Sequence, residues 1–401
     1  MKPSTKFSRY TMFALLYFAQ GSIMGYFAAL NSIYFLESGL EMTQAGLIGT
    51  IAMIPFVLKI FLGMLSDRVN LFGFGHRKPY IIIGLMLQAF CLILIIFISP
   101  ENNFGIYAFI AFILMSGMAL YDTCTDGYAL DSTPEEEEGF VQGVMVGGRA
   151  VGTIFVGLLG VIAHSFGWNA VFVSLAILTL LPLPFVLIFM SETERKVADK
   201  FVWKAFRAFN NRSIIGLALL GALYSFCIYG AYEIVAPALS TQFNMSVGPT
   251  SLIISTWGVG VVIGGLMGGP ISKKFGFRKS VTMAVVFALI STGLLAVVLN
   301  PVIVWIVVPI FGIAFGLYET LFFAVAMNQT DSRIAASMFA ILMAIANIGT
   351  GIGLGLTGVF VDSFGYPTTF IILSLANLLA FPLLSMMFSK KPASNLVVES
   401  D

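Results

Sequence analysis

Long apolar runs dominate the chain, and short polar segments separate them. A helix needs about 20 apolar residues to cross a bilayer, and a β-barrel strand would instead alternate apolar and polar positions. Twelve runs have the helical length, and the pattern predicts transmembrane helices over 9–36, 43–66, 79–99, 104–130, 140–164, 168–190, 213–240, 249–271, 280–299, 303–327, 334–361 and 367–389. We therefore predict an all-α integral membrane protein.

Composition supports lipid as the surrounding medium. Of the 401 residues 58% are hydrophobic and 10% are charged, whereas a soluble domain carries about 25% charged residues. The net charge of +1 gives no reason to expect a nucleic-acid partner. The three cysteines lie in apolar runs without C-x-x-C spacing, so neither a disulfide framework nor a zinc site is predicted. The first run lacks a small-residue cleavage site and is interpreted as a retained span.

The basic residues predict the orientation. Apart from Lys59 and Arg149, the 21 Lys and Arg residues lie at the chain ends or in alternate loops, which are 67–78, 191–212, 272–279 and 328–333. By the positive-inside rule both termini and these loops face the cytoplasm. We expect a monomeric, multi-pass protein of a bacterial inner membrane that contacts membrane lipids.

The two basic loops are copies of each other. Gly63-x-x-Ser66 within 63–80 recurs as Gly269-x-x-Ser272 within 268–280, and further on "HSFGWNAVF" recurs as "DSFGYPTTF". The chain is thus predicted to form two pseudo-symmetric six-helix halves, with a substrate site near mid-membrane where they meet. The predicted units are the first bundle at 1–190, a cytoplasmic linker at 191–212, the second bundle at 213–390 and a cytoplasmic tail at 391–401.

The first basic loop resembles a motif of the major facilitator superfamily, and the resemblance extends over nearly the whole chain. The matching residues are Gly63, Leu65, Ser66, Asp67, Arg68, Gly75, Arg77 and Lys78, with about five extra residues after Val69. Lys59, eight residues before Asp67, makes the segment similar to a branch that holds folate–biopterin, acetyl-CoA and muropeptide permeases.

The resemblance implies alternating access, with the loop residues Asp67, Arg68, Arg77 and Lys78 acting in gating. Asp67 is expected to accept hydrogen bonds from the start of the eleventh span, near 332–335, and so to lock the cytoplasmic side. Arg77 and Lys78 are expected to fix the topology and to contact anionic lipid headgroups. Because Lys273 replaces the acid in the second copy, the lock should be one-sided.

Charged residues inside spans are costly and therefore mark candidate functional positions. Six are found, namely Lys59, Asp122, Asp126, Arg149, Glu233 and Glu319. Asp122 and Arg149 lie at similar depths on consecutive spans, and Asp126 shares a helix face with Asp122. One interpretation pairs Arg149 with a span-4 acid in the cavity wall, as in sugar-transporting members of the family; the other has Arg149 joining helices only.

Lys59 and the surplus acids leave further alternatives. Lys59 either snorkels or pairs structurally, or it contacts substrate. Four acids face two bases, and an unpaired carboxylate in low dielectric is expected to take up a proton. Glu319 is the first candidate proton carrier, followed by Asp122, Asp126 and Glu233, the last of which could instead serve an outer gate or a kink. Sodium is the alternative coupling ion.

Polar and aromatic residues on two spans complete the predicted cavity. They are Gln20, Tyr26 and Asn31 on the first span and Tyr229 and Tyr232 on the seventh. The repeat makes Tyr26 and Tyr232 equivalent residues, which raises ligand binding to an alternative as strong as packing.

These features predict a proton-coupled secondary transporter for a small or amphiphilic organic solute, with an anionic one expected. An exporter of hydrophobic compounds and a non-transporting membrane assembly factor are the alternatives, although a scaffold gains nothing from buried charge. An enzyme is not expected, since the two histidines, His76 and His164, lie outside any nucleophile–base or metal-ligand pattern. No cofactor and no metal are expected.

Overall fold

A computed structural model describes residues 6–73, 75–134, 137–191, 206, 209, 211–297, 301–329 and 335–388. Within these ranges the regular structure is helical, with no β-strand. The helices are α1 Lys6–Gly25, α2 Asn31–Glu37, α3 Met42–Val57, α4 Lys59–Arg68, α5 Lys78–Ile95, α6 Phe104–Ser132, α7 Glu138–Ile154, α8 Val156–Phe166, α9 Trp168–Leu180, α10 Leu183–Phe189, α11 Arg212–Phe243, α12 Val247–Phe275, α13 Phe277–Val297, α14 Val304–Asn328, α15 Ala335–Ala376 and α16 Ala380–Met387. The prediction of an all-α protein is confirmed.

Eleven stretches of the described residues are long and apolar enough to cross a membrane. Ten of them coincide with the first ten predicted spans, and the eleventh, Met338–Met387, covers the last two. Gly365 interrupts this final stretch with φ 77° and ψ 167°, a backbone conformation that glycine adopts readily. This break falls inside the loop that the sequence predicts at 362–366.

Two spans are interrupted close to the middle of the membrane. A short π-helix, Tyr26–Leu30, separates α1 from α2. The second span is interrupted between α3 and α4 at Leu58. The break puts Lys59 at the first position of α4.

The two ends of the helical bundle are called here the basic side, where Arg68, Arg77 and Lys78 lie, and the distal side, where Glu37 and Met42 lie. Contacts between the first and second halves of the chain concentrate toward the distal side. There the carboxylate of Asp362 accepts hydrogen bonds from the backbone N–H groups of Met42 and Thr43, at 3.2 and 2.6 Å, and so caps the start of α3. Deeper in the membrane Thr50 Oγ1 donates to the carbonyl of Gly351, at 2.7 Å.

Glycines bring α3 and α15 into backbone contact on the distal side. A Cβ atom added to Gly46 would lie 2.4 Å from the carbonyl oxygen of Leu354, and one added to Gly358 would lie 2.2 Å from that of Met42. Such small residues allow membrane helices to approach closely. Within the described residues α4 and α15 hardly meet, so the space between the two halves opens toward the basic side.

Candidate functional site

An ion cluster lies on the inner face of the first half, and we call Tyr17, Gln20, Lys59, Asp122 and Asp126 the lysine–acid cluster. Lys59 Nζ lies 2.5 Å from Asp122 Oδ2 and 3.0 Å from Asp126 Oδ2. Gln20 Nε2 donates to the second oxygen of Asp122, at 2.8 Å, and the Tyr17 hydroxyl donates to the second oxygen of Asp126. All four carboxylate oxygens therefore have a partner.

The two acids of the cluster differ in exposure. The side chain of Asp122 is 5% exposed, whereas that of Asp126 is 41% exposed and that of Lys59 is 30% exposed. Asp122 is ten residues from the end of α6, which corresponds to about 15 Å along the helix and so to the middle of a bilayer. The cluster thus has a buried end at Asp122 and a solvated end at Asp126.

The predicted pair between Arg149 and a span-4 acid is not formed in this structure. Both acids are held by Lys59, and within the described part of the chain no carboxylate lies within 4.0 Å of Arg149. Lys59, at the start of α4, reaches both acids of α6. Lys59 is thus paired in this structure, and its contact with substrate stays a prediction.

Arg149 on α7 lies within electrostatic range of groups from both halves of the chain, which are Glu319 and Tyr229 in the second half and Tyr17 and Asp122 in the first. Arg149 and Glu319 lie about 17 and 14 Å from the basic ends of their helices, so the two groups are nearly level. A cation of the first half and an acid of the second half therefore lie at nearly the same depth in the membrane.

Glu319 is set among aromatic side chains. The Tyr229 hydroxyl donates to Glu319 Oε1, at 3.2 Å. The Tyr229 ring packs edge-on against Phe315, with ring centroids 5.0 Å apart, and Phe315 in turn contacts Trp257 at 4.9 Å. Phe315 and Trp257 are buried, so these rings form an apolar support behind the Tyr229–Glu319 hydrogen bond.

The structure places the remaining predicted cavity residues away from these charges. Tyr26 and Asn31 are buried on the first span, where Tyr26 packs on Phe172, and Tyr232 is stacked on Trp257 with ring centroids 3.7 Å apart. Glu233 is buried next to Tyr232. In this conformation these residues belong to the closed distal side, and ligand binding by them stays a prediction.

The basic loop forms a buried ionic network at the basic side. Arg77 pairs with Asp67, at 2.8 Å, and with Asp131 on α6, at 3.2 Å, and it also donates to Ser66 Oγ, at 2.9 Å. A Cβ atom at Gly127 would lie 2.4 Å from Arg77 Cζ, so a glycine is needed where the guanidinium crosses α6. The network joins the second and fourth spans.

Two expectations for this loop need correction. Arg77 is buried rather than in contact with lipid headgroups, because two carboxylates neutralise it within the protein. Lys78 donates to the carbonyl oxygens of Leu187 and Met190, both at 2.9 Å, and so caps the end of the sixth span. Arg68 is exposed at the end of α4. Most of the partner segment predicted for Asp67, at 332–335, lies outside the described residues.

Several site residues are not evident in the sequence. Tyr17, Asp131 and Phe315 give no signal of their own, because a tyrosine, a helix-end acid and a phenylalanine are ordinary in membrane spans. The acidic run 132–139 is by its pattern a solvated loop or a helix start. Its described member Glu137 binds Lys6, Arg9 and Tyr10. The hydrogen bond from Lys6 is the main cause that lowers the pKa of Glu137.

The chemistry of these groups is binding and proton exchange. Across the described ranges, no three His, Cys, Asp or Glu side chains are grouped in a way that could hold a metal ion. Carboxylates with solvent access, a guanidinium and ring faces can bind a charged organic molecule and exchange protons with it.

Comparison with known proteins agrees with this geometry. The Major Facilitator Superfamily profile matches residues 12–338. A putative transporter AmpG 3 of Rickettsia prowazekii is 22% identical over 95% of this chain and 98% of its own length. A probable folate-biopterin transporter 7 of Arabidopsis thaliana is 32% identical over 39% of this chain and 37% of its own.

Solved structures show the same fold. The nucleoside transporter NupG superimposes with a TM-score of 0.77 at 17% identity, covering 96% of this chain and 99% of that one. These similar proteins are transporters and not enzymes. The profile match over most of the chain, together with the helical architecture, shows that this multi-pass membrane protein belongs to the major facilitator superfamily.

Proposed function

We propose that the chain is a proton-coupled secondary active transporter that moves a small or amphiphilic organic anion by alternating access. The observation that carries the proposal is the matching depth of Arg149 on α7 and Glu319 on α14, one in each half of the chain. Neither group is neutralised by an ion pair within the described residues, so both are available to a ligand.

The charge of Arg149 explains why an anion is proposed. A guanidinium does not lose its proton in proteins and must always be balanced. In the empty transporter the balance comes from the field of Glu319 and, more weakly, of Asp122. A substrate carboxylate or phosphate can take over with two parallel hydrogen bonds, which the planar guanidinium is suited to donate.

Proton coupling follows from the same exchange. Once a substrate anion neutralises Arg149, Glu319 loses its favourable cation and keeps a hydrogen bond from the Tyr229 hydroxyl. A carboxylate without a nearby cation favours the neutral form. Substrate and proton then enter together. In this structure Lys59 pairs with both Asp122 and Asp126.

Twelve crossings and cytoplasmic termini complete the proposal. The non-helical backbone at Gly365 divides the last apolar stretch into two legs, and the basic loops gather at one end. The distal side is then extracytoplasmic and the structure faces inward. The two halves at 1–190 and 213–390 rock against each other; the linker 191–212 and the tail 391–401 lie almost wholly outside the described residues.

The names of similar proteins indicate where a substrate search should begin. A thermal-shift screen of the purified protein against pterins, nucleosides, acidic sugars such as sialic acid, and amino-sugar peptides should identify a stabilising ligand. Reconstitution into liposomes with that ligand then measures uptake driven by an inward proton gradient.

Two variants test the mechanism. Arg149→Lys keeps the charge but loses the planar fork, so Kd should rise about 10-fold or more while the protein still inserts. The matched control is Arg278→Lys on the exposed basic loop, which should leave Kd unchanged. Glu319→Gln should abolish accumulation against a gradient but preserve exchange of labelled substrate. Parental affinity in Arg149→Lys, or unchanged pH-driven accumulation in Glu319→Gln, would contradict the proposal.

A further inference from the structure

A second acid, Glu233, has a very different environment from Glu319. Its residue surface is 2% exposed, and its Oε2 atom has no hydrogen-bond partner. Its Oε1 atom lies 3.4 Å from where a Cβ atom of Gly49 would stand, and a Leu354 side-chain atom lies 3.0 Å from the same point. Glu233 on α11 is therefore enclosed by α3 and α15, one from each half of the chain.

Among the described residues, no basic side chain lies within 4.0 Å of the buried Glu233 carboxylate. The helices packed against α11 carry titratable groups elsewhere along their length; these are Tyr26, Tyr34, Glu37, Lys273, Lys274, Arg278, Lys279, Tyr318, Glu319, Asp362 and Tyr366. Of these, the Asp362 carboxylate accepts a hydrogen bond from the backbone at the start of α3, and Glu37 accepts a hydrogen bond from Trp168.

The position of Glu233 connects its protonation to the distal closure. It is ten residues from the distal end of α11, about 15 Å along the helix. Gly49 on α3 lies in the layer that Gly46 and Thr50 close against α15. When the transporter opens on the distal side, α3 and α15 must separate, and water then reaches Glu233.

We propose that Glu233 is a proton-binding site whose protonation allows the distal side to close. An ionised carboxylate that is buried without a compensating charge is strongly disfavoured, whereas the neutral acid is tolerated. The distal-closed conformation therefore holds the proton, and the distal-open conformation releases it to the solvent. The inference rests on the proposed alternating access, and it assigns to Glu233 a conformational proton separate from the substrate-linked proton at Glu319.

The test measures distal opening directly, without substrate. Spin labels at Asn102→Cys and Gln242→Cys, exposed positions at the distal ends of the two halves, report the distance across the distal side by pulsed electron resonance. The native cysteines Cys91, Cys124 and Cys227 are buried and do not compete for label. The measurement is made in lipid nanodiscs between about pH 5 and pH 8.

In the parent the ratio of open to closed molecules should rise with pH, by up to about 10-fold per pH unit where one proton is linked. Glu233→Gln mimics the neutral acid and should remain closed across the range. Glu233→Asp keeps an ionisable group and should retain the pH dependence, which shows that loss of the response is not a folding defect. The control Glu101→Gln removes an exposed distal acid and should behave as the parent does.

The outcomes separate this inference from the proposed function. A Glu233→Gln protein that opens with the parental pH dependence overturns the inference, even if proton-driven uptake is found. Loss of the response in Glu319→Gln but not in Glu233→Gln overturns it as well. Absence of proton-driven uptake together with a pH response that is lost only in Glu233→Gln contradicts the coupling at Glu319 and supports the site at Glu233.

Discussion

Lys59 pairs with two acids, so replacing Lys59 should destabilise the protein more than replacing either acid does. Losing one partner of a fully buried ion pair costs about 3–5 kcal/mol, whereas an exposed pair is worth about 0–1 kcal/mol. Lys59 is 30% exposed and Asp122 is 5% exposed, so the pair lies between these limits. We expect Lys59→Met to lower the free energy of unfolding by about 2–3 kcal/mol.

Asp122→Asn should lower the free energy of unfolding by less, about 1 kcal/mol. Lys59 then keeps Asp126 at 3.0 Å, and an asparagine oxygen can still accept the hydrogen bond from Gln20. In the double variant that combines Lys59→Met with Asp122→Asn, the buried carboxylate is absent, so the free energy of unfolding should fall by only about 1–2 kcal/mol in total. The coupling energy between the two positions is then about 2 kcal/mol.

Equilibrium unfolding in mixed micelles of dodecyl maltoside and sodium dodecyl sulfate measures these free energies. Lys273→Met, which removes an exposed lysine from the second basic loop, is the matched control and should change stability by less than about 0.5 kcal/mol. Additive losses in the double variant, or an Asp122→Asn variant as unstable as Lys59→Met, would refute the idea that Lys59 neutralises a buried acid.

Three further predictions concern the basic side and the topology. Asp67→Asn weakens the pair with Arg77 and should slow turnover several-fold with nearly parental affinity in uptake and binding assays; collapse of binding with intact turnover would contradict a gating role. Because the pKa of Glu137 is lowered in the folded protein, its stabilisation should be present above the ordinary glutamate pKa of about 4.3 and lost as pH falls below it. Thermal melts of Glu137→Gln should therefore differ from the parent at pH 7 and converge with it near about pH 3; equal melts at pH 7 would refute this. A topology reporter fused after Asn102 should be extracytoplasmic and one after Gly276 cytoplasmic, and a clear reversal would refute the proposed orientation.

The helical architecture is readable from the sequence because lipid imposes it. The length of the apolar runs and the positions of lysine and arginine are direct consequences of the bilayer, and even the loop containing Gly365 is evident in the pattern. These signals are local, so a single chain suffices to recognise them.

The pairing of charges is not evident in the sequence, because it depends on how the helices pack. The sequence shows that Arg149 and Asp122 are at similar depth, but it does not show that Lys59 on the second span reaches the acids of α6 instead. In the same way Arg77 reaches Asp131 only because Gly127 leaves room for its guanidinium. Depth follows from counting residues, whereas the choice of partner follows from packing.

The backbone contact between α3 and α15 closes the distal side at a place separate from the proposed substrate site. Gly46 and Gly358 meet peptide oxygens directly, so at these two positions the barrier is made by backbone and not by side chains that could tell one solute from another. Variants that change the range of substrates should therefore arise deeper in the protein, around Arg149 and Glu319. A bulkier residue at either glycine would act as a wedge, and it would impair the transport of every solute to the same degree.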